Sequence, residues 1–242
     1  MLQTLLDPLL AIVYPQSCRC CGSSVETYEN GIACSSCWDS TRIFSGGESL
    51  CAKCGAFQEN GRTGDEVRCR QCEDSFFDRA FAAGIYERAL AASVLDLKRR
   101  PHLPQRVRTA FLSAMHRADL AGADLVMPIP LSRKRYLERG FNQAEILATI
   151  ASRELRLQMI KNALVRKVHT PVHRVAMDKK ARDSSVHNAF AVRFPKLVGD
   201  RSIVLVDDVF TSGATVSNCA QVLKKNGAAK VNVLTLARAV MY

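Results

Sequence analysis

Two adjacent aspartates follow a run of apolar residues in the last sixth of the chain. In residues 203–216, IVLVDDVFTSGATV, Asp207 and Asp208 stand between a predicted buried strand and the predicted start of a helix. Gly213 and Ala214 leave backbone amides uncovered there, and free N–H groups at a helix N-terminus favour phosphate. Further donors are the hydroxyl groups of Thr211, Ser212 and Thr215. The stretch therefore predicts a phosphate site beside two carboxylates.

Carboxylates next to a phosphate repel it unless they bind another part of the same ligand. Vicinal hydroxyls or hydrated Mg²⁺ are partners that suit Asp207 and Asp208. The stretch lacks the Gly-Lys-Ser/Thr of a Walker loop. A sugar phosphate with free 2′ and 3′ hydroxyls satisfies both halves of it. The alternative, which stays open, is an acid pair that only caps the end of a strand before a plain turn.

Cysteines form a second set of residues with chemistry-bearing spacing. Nine of the ten fall between residues 18 and 72, and eight of these make four Cys-x-x-Cys pairs, with 12, 13 and 14 residues between successive pairs. Four thiolates from two such pairs give the tetrahedral site that Zn²⁺ prefers, with no position left open for catalysis. We therefore expect two structural zinc ions in a segment that is too short to fold without them. Sequential pairing is the simplest, with Cys18, Cys21, Cys34 and Cys37 on one ion and Cys51, Cys54, Cys69 and Cys72 on the other, although a crossed pairing stays open.

Other uses of the cysteines fit less well. Disulfides need an oxidising compartment, and the apolar start of the chain lacks the basic residues of a signal peptide, which favours a short packing helix and a cytoplasmic protein. No apolar run reaches the ~18 residues of a membrane span. Ferredoxin-like clusters crowd three ligands into a short run, which is missing here. Cys20 belongs to none of the four pairs, and Cys219 is interpreted as a packed helix residue.

These candidate sites need a scaffold, which the remainder of the chain supplies. Apolar runs at 79–87, 123–130, 162–168, 202–208 and 230–240 predict strands, and helical spacing at 89–100, 103–120, 141–155 and 215–227 predicts helices. Strands that alternate with helices predict an α/β fold with a parallel sheet. Ligands bind beyond the carboxyl ends of such strands, where Asp207 and Asp208 are expected. Residues 169–188 are polar and basic, and predict a long loop with a functional role.

Positive charge is concentrated in the middle of the chain. The formal net charge is +11, of which residues 86–182 contribute +12, residues 1–85 contribute −4 and residues 183–242 contribute +3. A field of that sign attracts nucleic acid or a ligand rich in phosphates. A merely solvated basic face is the alternative.

Two motifs together resemble a known family. The stretch around Asp207 resembles the phosphoribosyl pyrophosphate (PRPP) signature of type I phosphoribosyltransferases. MPIPLSRKRYLERGFNQAEILA, at 127–148, resembles the Pro-x-Pro-Leu and Arg-Gly-Phe-Asn-Gln stretch of the ComF competence proteins. The resemblance implies an N-terminal double zinc-ribbon module at 1–75 and a parallel-sheet, type I phosphoribosyltransferase-like domain at 76–242.

The resemblance also implies roles for individual residues. Asp207 and Asp208, the catalytic pair of the family, would bind the ribose hydroxyls, and the loop Phe210, Thr211, Ser212, Gly213, Ala214 and Thr215 would hold the 5-phosphate. In the loop after Pro130, Ser132, Arg133 and Arg139 would face the pyrophosphate, with Mg²⁺ bound together with PRPP. A leaving pyrophosphate needs cations, and basic residues at 133–139 lie just past a predicted strand end.

One departure from the family pattern falls in residues 170–190. His173 stands where the family has Gln, and Ser185 follows Arg182 where the family has Asn. If those groups position an acceptor base, the departure bears on catalysis and leaves PRPP binding untouched.

Three functions remain as hypotheses at this point. The favoured one is a competence factor that binds PRPP and handles incoming single-stranded DNA in the cytoplasm, with proteins of the DNA-uptake machinery as further partners. The second is an active phosphoribosyltransferase of unidentified acceptor, in which the protein positions the reactants and stabilises charge. Tyr136 and Phe141 are the aromatic candidates for stacking a base. The third is a PRPP-sensing regulator without DNA contact.

Overall fold

The computed structural model describes residues 15–58, 68–167 and 189–240. The helix predicted at the start of the chain and the loop predicted at 169–188, with His173, Arg182 and Ser185, lie outside these residues. No helix in the described part of the chain is long and apolar enough to cross a membrane.

A parallel sheet of five strands forms the centre of the molecule, in the order β1-β7-β6-β2-β3. Its strands are β1 (Arg79–Ile85), β2 (Leu125–Pro128), β3 (Gln158–Met159), β6 (Ser202–Phe210) and β7 (Lys230–Arg238). A separate antiparallel pair consists of β4 (Leu164–Arg166) and β5 (Phe190–Val192). The α/β fold with a parallel sheet is therefore confirmed.

Six α-helices accompany these strands in the described residues. They are α1 (Ser35–Asp39), α2 (Arg88–Leu97), α3 (Gln105–Arg117), α4 (Arg133–Arg139), α5 (Gln143–Leu155) and α6 (Ala214–Lys225). On one face of the sheet, Val204 and Val206 pack in a core with residues of α2, α3 and α5. On the other face, Ile203 and Leu205 pack with residues of α6. Burial on both faces explains why β6 reads as a continuous apolar run.

The cysteine-rich segment covers the edge of the sheet. The backbone N–H of Phe44 donates to Ala83 O at 2.8 Å, that of Ile85 to Arg42 O at 2.9 Å, and that of Ala80 to Lys53 O at 2.7 Å. These bonds occupy polar groups of the edge strand β1 that would otherwise be open to pairing with another chain. The domain boundary near residue 75 stays a prediction.

Two local predictions are corrected by the structure. The acid pair was placed at the end of its strand, but β6 continues past Asp208 to Phe210, because the equally long neighbour β7 pairs with it as far as Arg238. The segment after Pro130 was expected to be a loop, but residues Arg133–Arg139 form α4. Ser132 starts that helix, since its Oγ accepts a hydrogen bond from Arg135 N. Strands β3 and β5 and the short helix α1 were not predicted.

Candidate functional site

Each group of four cysteines forms a compact set of sulfur atoms. The Sγ atoms lie within 4.8 Å of one another in both groups, and the grouping is sequential: Cys18, Cys21, Cys34 and Cys37 form the first site, and Cys51, Cys54, Cys69 and Cys72 form the second. Four sulfurs bound to Zn²⁺ at about 2.3 Å lie about 3.8 Å apart. The Cys21–Cys34 Sγ distance of 3.6 Å and the Cys54–Cys69 Sγ distance of 3.4 Å are close to that spacing. Both sites therefore fit structural Zn²⁺.

Tight turns bring the first pair of each site together. Gly22 and Gly55 follow Cys21 and Cys54 with φ of 83° and 67°, and each donates its N–H to the carbonyl of the first cysteine of its pair. Such positive φ values favour glycine. Backbone amides also point at the sulfurs, as Cys34 N does at Cys18 Sγ (3.3 Å) and Cys69 N at Cys51 Sγ (3.2 Å). These donors stabilise thiolates, the form that binds metal.

The second site already favours one thiolate without metal. A side-chain hydrogen bond from Cys54 lowers the pKa of Cys51 to about 3, while the same bond and burial raise the pKa of Cys54. A thiolate beside the thiols of Cys54 and Cys72, whose pKa values are raised, attracts a cation, and metal binding would release protons from these thiols.

The acid pair lies in β6, two residues before the strand ends at Phe210 and the loop to α6 begins. Asp208 is 6% exposed, and Asp207 accepts a hydrogen bond from Asp208 N to its own Oδ1 at 2.9 Å. Burial raises the pKa of Asp207, and the negative charge of Asp208 raises it further. Two carboxylates in this environment are strained electrostatically unless a cation or a hydroxyl-rich ligand joins them.

Lys98 is the cation that the structure brings to this pair. It caps the end of α2, and its Nζ lies 3.0 Å from Asp208 Oδ2. That buried oxygen nevertheless has no partner of good hydrogen-bond geometry among the described residues, so the contact is an ion pair without a well-directed hydrogen bond. The sequence reasoning missed Lys98, because only the path of α2 after the edge strand places it beside β6.

The loop after the acid pair presents its donors to solvent. Thr211, Ser212 and Thr215 are exposed, and Gly213 has φ of 78° as the N-cap of α6. A hydrogen bond to Ser212 Oγ, 3.4 Å long, occupies Ala214 N. Within the described residues, no hydrogen bond uses the N–H of Thr211, Ser212, Gly213 or Thr215. Free amides at the N-terminus of a 12-residue helix favour an anion, so the loop is compatible with the predicted phosphate site, which stays a prediction.

Gly213 is required by a ring beneath the loop. A Cβ at this position would lie 2.7 Å from Phe210 Cζ, closer than side chains pack. Phe210 is 3% exposed, so its ring supports the loop from below while its own side chain is inaccessible to a ligand. Among the predicted phosphate-loop residues, Phe210 therefore supports the loop and is not available to contact a ligand.

The Arg-Gly-Phe-Asn-Gln stretch joins α4 to α5 at the same edge of the sheet. Gly140 ends α4 with φ of 76°, and Asn142 caps α5 by accepting from Ala144 N at 3.0 Å. Asn142 Nδ2 also donates to Ile129 O at 2.9 Å, just beyond β2, and Arg139 Nη1 donates to Gln143 Oε1 at 2.9 Å. Because β2 pairs with β6, this junction follows the strand next to the acid pair.

The predicted pyrophosphate residues are not equivalent in the structure. Ser132 is 3% exposed and its hydroxyl caps α4, whereas Arg133 is exposed. Arg139 is partly buried against Gln143. Arg133 is therefore the predicted cation that remains most accessible to a ligand.

Known proteins are similar in sequence to nearly the whole chain. The double zinc ribbon domain family matches residues 9–74. The DNA utilization protein YhgH of Escherichia coli K12 is 31% identical over 235 residues, covering 94% of this chain and 99% of that protein. Competence protein F of Haemophilus influenzae is 27% identical over 231 residues, covering 92% of this chain and 96% of that protein.

A solved structure of glutamine PRPP amidotransferase from B. subtilis, complexed with ADP and GMP, shows a weaker likeness. It is 17% identical, with a TM-score of 0.33, and covers 46% of this chain and 22% of that chain. A likeness at that TM-score settles neither the family nor a ligand. The full-length similarity to YhgH and competence protein F, with the paired cysteine sites, does settle the family. The chain belongs to the ComF family of competence proteins.

Proposed function

We propose that this protein binds PRPP with Mg²⁺ at the β6–α6 junction and assists the cytoplasmic handling of incoming single-stranded DNA in natural transformation. The observation that carries the proposal is the pairing of Asp207 and Asp208 with a loop whose amides are free among the described residues. The loop amides of Thr211, Ser212, Gly213 and Thr215 suit a monoester phosphate. The acid pair suits the ribose hydroxyls that lie a few ångströms from that phosphate in the ligand.

The acid pair also fits a divalent cation carried by the ligand. Asp208 Oδ2 is buried and lacks a well-directed donor, so it retains an acceptor for a hydroxyl or for a water of hydrated Mg²⁺. When bound, Mg²⁺ would neutralise part of the pyrophosphate charge. Lys98 and Arg133 would supply protein cations on either side of the same ligand, from α2 and from the start of α4.

The exposed helix α4 supports the DNA part of the proposal. None of its seven residues is buried, and it carries Arg133, Lys134, Arg135 and Arg139 together with Tyr136, which is 48% exposed. Cations that follow a backbone, with an aromatic ring on which a base can stack, are the usual elements of single-strand binding. The names of the relatives, which refer to DNA utilization and competence, agree with this function.

Thermal unfolding of the full chain tests PRPP binding. At 100 times its dissociation constant PRPP adds about 2.7 kcal/mol to the folded state, and this gain should disappear in the Asp207→Asn/Asp208→Asn variant. The zinc content of that variant should equal that of the wild type, since neither carboxylate belongs to a cysteine site. Equal stabilisation of both proteins, or of neither, would exclude this site.

Phosphoribosyl transfer is the second candidate function. It is favoured by the adjacent positions of the phosphate loop after β6 and the basic residues after β2, which would lie at the two ends of PRPP. The acceptor nitrogen would attack C1 of the ribose as magnesium-bound pyrophosphate leaves. A pyrophosphate-release assay with bases and single-stranded DNA distinguishes the candidates, because release that depends on one acceptor selects the enzyme. Binding without release selects the DNA-handling factor when DNA also binds, and a PRPP-sensing regulator when it does not.

A further inference from the structure

Arg238, the last residue of β7, is a buried cation beside the second cysteine site. It is 6% exposed, its Nη1 donates to Cys54 O, and its Nη2 lies 3.4 Å from Cys54 Sγ. No carboxylate of the described residues forms an ion pair with it. A buried guanidinium needs a compensating charge, and four thiolates around Zn²⁺ carry a net charge of −2. The second site is therefore the electrostatic partner of Arg238.

The same guanidinium supports the ring under the phosphate loop. Its central carbon lies 4.4 Å from the centroid of the Phe210 ring, which is cation–π distance. Phe77 also packs against that ring in a T-shaped arrangement, with centroids 5.6 Å apart. Phe210 Cζ in turn lies 2.7 Å from the position that a Cβ of Gly213 would take. Metal site, guanidinium, ring and loop thus form one continuous series of contacts.

A second series of contacts runs from the same cysteine site to α6. Lys53, inside the Cys51–Cys54 turn, donates to Ser75 O at 2.7 Å, just after Cys72. The next residue, Phe76, donates its N–H to Ser217 Oγ at 3.1 Å, in the first turn of α6. Both turns of the second site are therefore joined to the element that carries the loop.

Near the first cysteine site, on the opposite face of the sheet, an arginine also lies over an aromatic ring, but it is partly exposed and its ion-pair partner is a carboxylate. Arg106 lies over the Trp38 ring at 5.4 Å and bonds to Asn30 and Asp39. Cys18, Cys34 and Trp38 pack in the core of α2 and α3, whereas Cys51, Cys54 and Phe210 pack in the core of α6. This asymmetry gives a matched internal control.

We propose that Arg238 is a positioning residue through which the zinc-loaded second site fixes the loop at 210–216, while the first site has no such effect. The consequence for ligand affinity rests on the proposed PRPP function, but the effect on the loop does not. Arg238 touches no part of the proposed ligand and acts only through Phe210. The fold thereby makes a structural metal part of the support of a binding site.

Hydrogen exchange of the loop in the full zinc-loaded chain tests the proposal. Arg238→Met keeps apolar volume but removes charge and planarity. It should raise the exchange rate of the hydrogen-bonded loop amides, those of Ala214 (to Ser212 Oγ) and Ser217 (to Gly213 O), about thirtyfold, as expected for the loss of one desolvated cation–π contact. In the same variant, one of the two zinc ions should be released to a chelator faster than in the wild type. Arg106→Met should leave the loop exchange unchanged. In Arg238→Lys the rate of zinc release should return part of the way to the wild-type value, because lysine keeps the charge.

The outcomes separate this proposal from general destabilisation and from the proposed function. Unchanged loop exchange in Arg238→Met, or an equal rise in Arg106→Met, overturns it. If Arg238→Met does not fold, Phe210→Leu is measured in its place. Faster loop exchange with unchanged zinc release supports the proposal that Arg238 positions the loop through Phe210. Unchanged loop exchange overturns it. Both readouts are taken without PRPP, so failure of the wild type to bind PRPP would refute only the proposed function.

Discussion

At the scale of single residues, the candidate site is an unbalanced set of charges. Asp207 and Asp208 lie side by side with one lysine, Lys98, at 3.0 Å from the second of them. Burial, then the neighbouring carboxylate, raises the pKa of Asp207. The folded protein therefore holds a proton on this carboxyl at a pH where the unfolded chain has lost it. Ionisation of Asp207 accordingly lowers stability as pH rises above its unfolded pKa of about 3.9.

Replacing Asp207 by Asn should stabilise the ligand-free protein at neutral pH. A gain on the order of 1 kcal/mol would raise the melting temperature by about 2–4 °C for a chain of this size. The gain should shrink as pH falls to about 3, below the unfolded pKa, where the wild-type carboxyl is protonated in both states. Melting curves at several pH values measure it, with the exposed Asp119→Asn as control. A loss of stability at pH 7 would instead identify Asp207 as a structural cap.

Gly213→Ala should destabilise the loop by more than backbone strain alone. A residue held at positive φ costs about 1–3 kcal/mol, and here the new Cβ would also meet Phe210 Cζ. Gly122 offers the matched control, because it has φ of 80° with nothing within 4 Å of an added Cβ. Denaturant unfolding of the two variants isolates the clash. Equal losses would show that the ring does not constrain the loop.

Local sequence predicted the residues that lie together in the chain and missed those that meet through the sheet. Asp207, Asp208 and the loop are one contiguous stretch, so their chemistry could be inferred directly. Lys98 and Arg238 reach the site only through the strand order β1-β7-β6, which the sequence does not state. The pairing of β6 with β7 goes from Asp207↔Thr235 directly to Val209↔Ala237, without a pair at Asp208. Phe210 lies in the same core as Leu205, although the two are an odd number of residues apart along the strand. Simple alternation would have placed that ring on the other face.

At the scale of elements, the two corrections have the same physical origin. Residues 133–139 lack an apolar face, so helical periodicity was invisible, and capping by Ser132 and Gly140 defines α4 instead. Strand β6 was ended too early because two charges interrupt its apolar run, although β7 continues to pair with it. The hydrophobic pattern thus left the bounds of α4 and β6 open, and the helix caps and the neighbouring strand determine them.

The helix α4 should carry a measurable part of single-stranded DNA binding. Replacing Arg133, Lys134 and Arg135 with Gln should lower the slope of log K against log salt by about 2, at ~0.7 for each phosphate contact. Fluorescence anisotropy with an oligonucleotide measures this slope. Tyr136→Ala should instead weaken binding at every salt concentration, since base stacking contributes about 1–3 kcal/mol.

The matched control for this triple variant lies at the amino-terminal edge of the sheet. Lys196, Lys225 and Lys230 are exposed there, and their replacement removes the same charge. This control should leave the slope nearly unchanged. An equal change in both variants would show only a general effect of net charge.

At the scale of the whole molecule, the cysteine sites belong to the same cores as the sheet. Cys34 and Cys37 pack with α2 and α3, and Cys51, Cys54 and Cys72 pack with α6 and β6. The purified protein should contain about two zinc ions and be colourless, by metal analysis and absorption. Removing them with a chelator should lower the melting temperature of the α/β part as well, because structural zinc contributes on the order of 10 kcal/mol to such sites. A coloured, sulfide-containing protein, or unaltered melting after complete zinc removal, would contradict this account.

The central claim is that the loop amides after the acid pair receive the phosphate of PRPP, and hydrogen exchange measures this most directly. In the full zinc-loaded chain, PRPP with Mg²⁺ should slow exchange of the amides of residues 211–215, which have few partners in the described structure. The same addition should have no effect in Asp207→Asn/Asp208→Asn. Unchanged exchange at 211–215 in the wild type at saturating PRPP, or protection confined to another part of the chain, would contradict the claim.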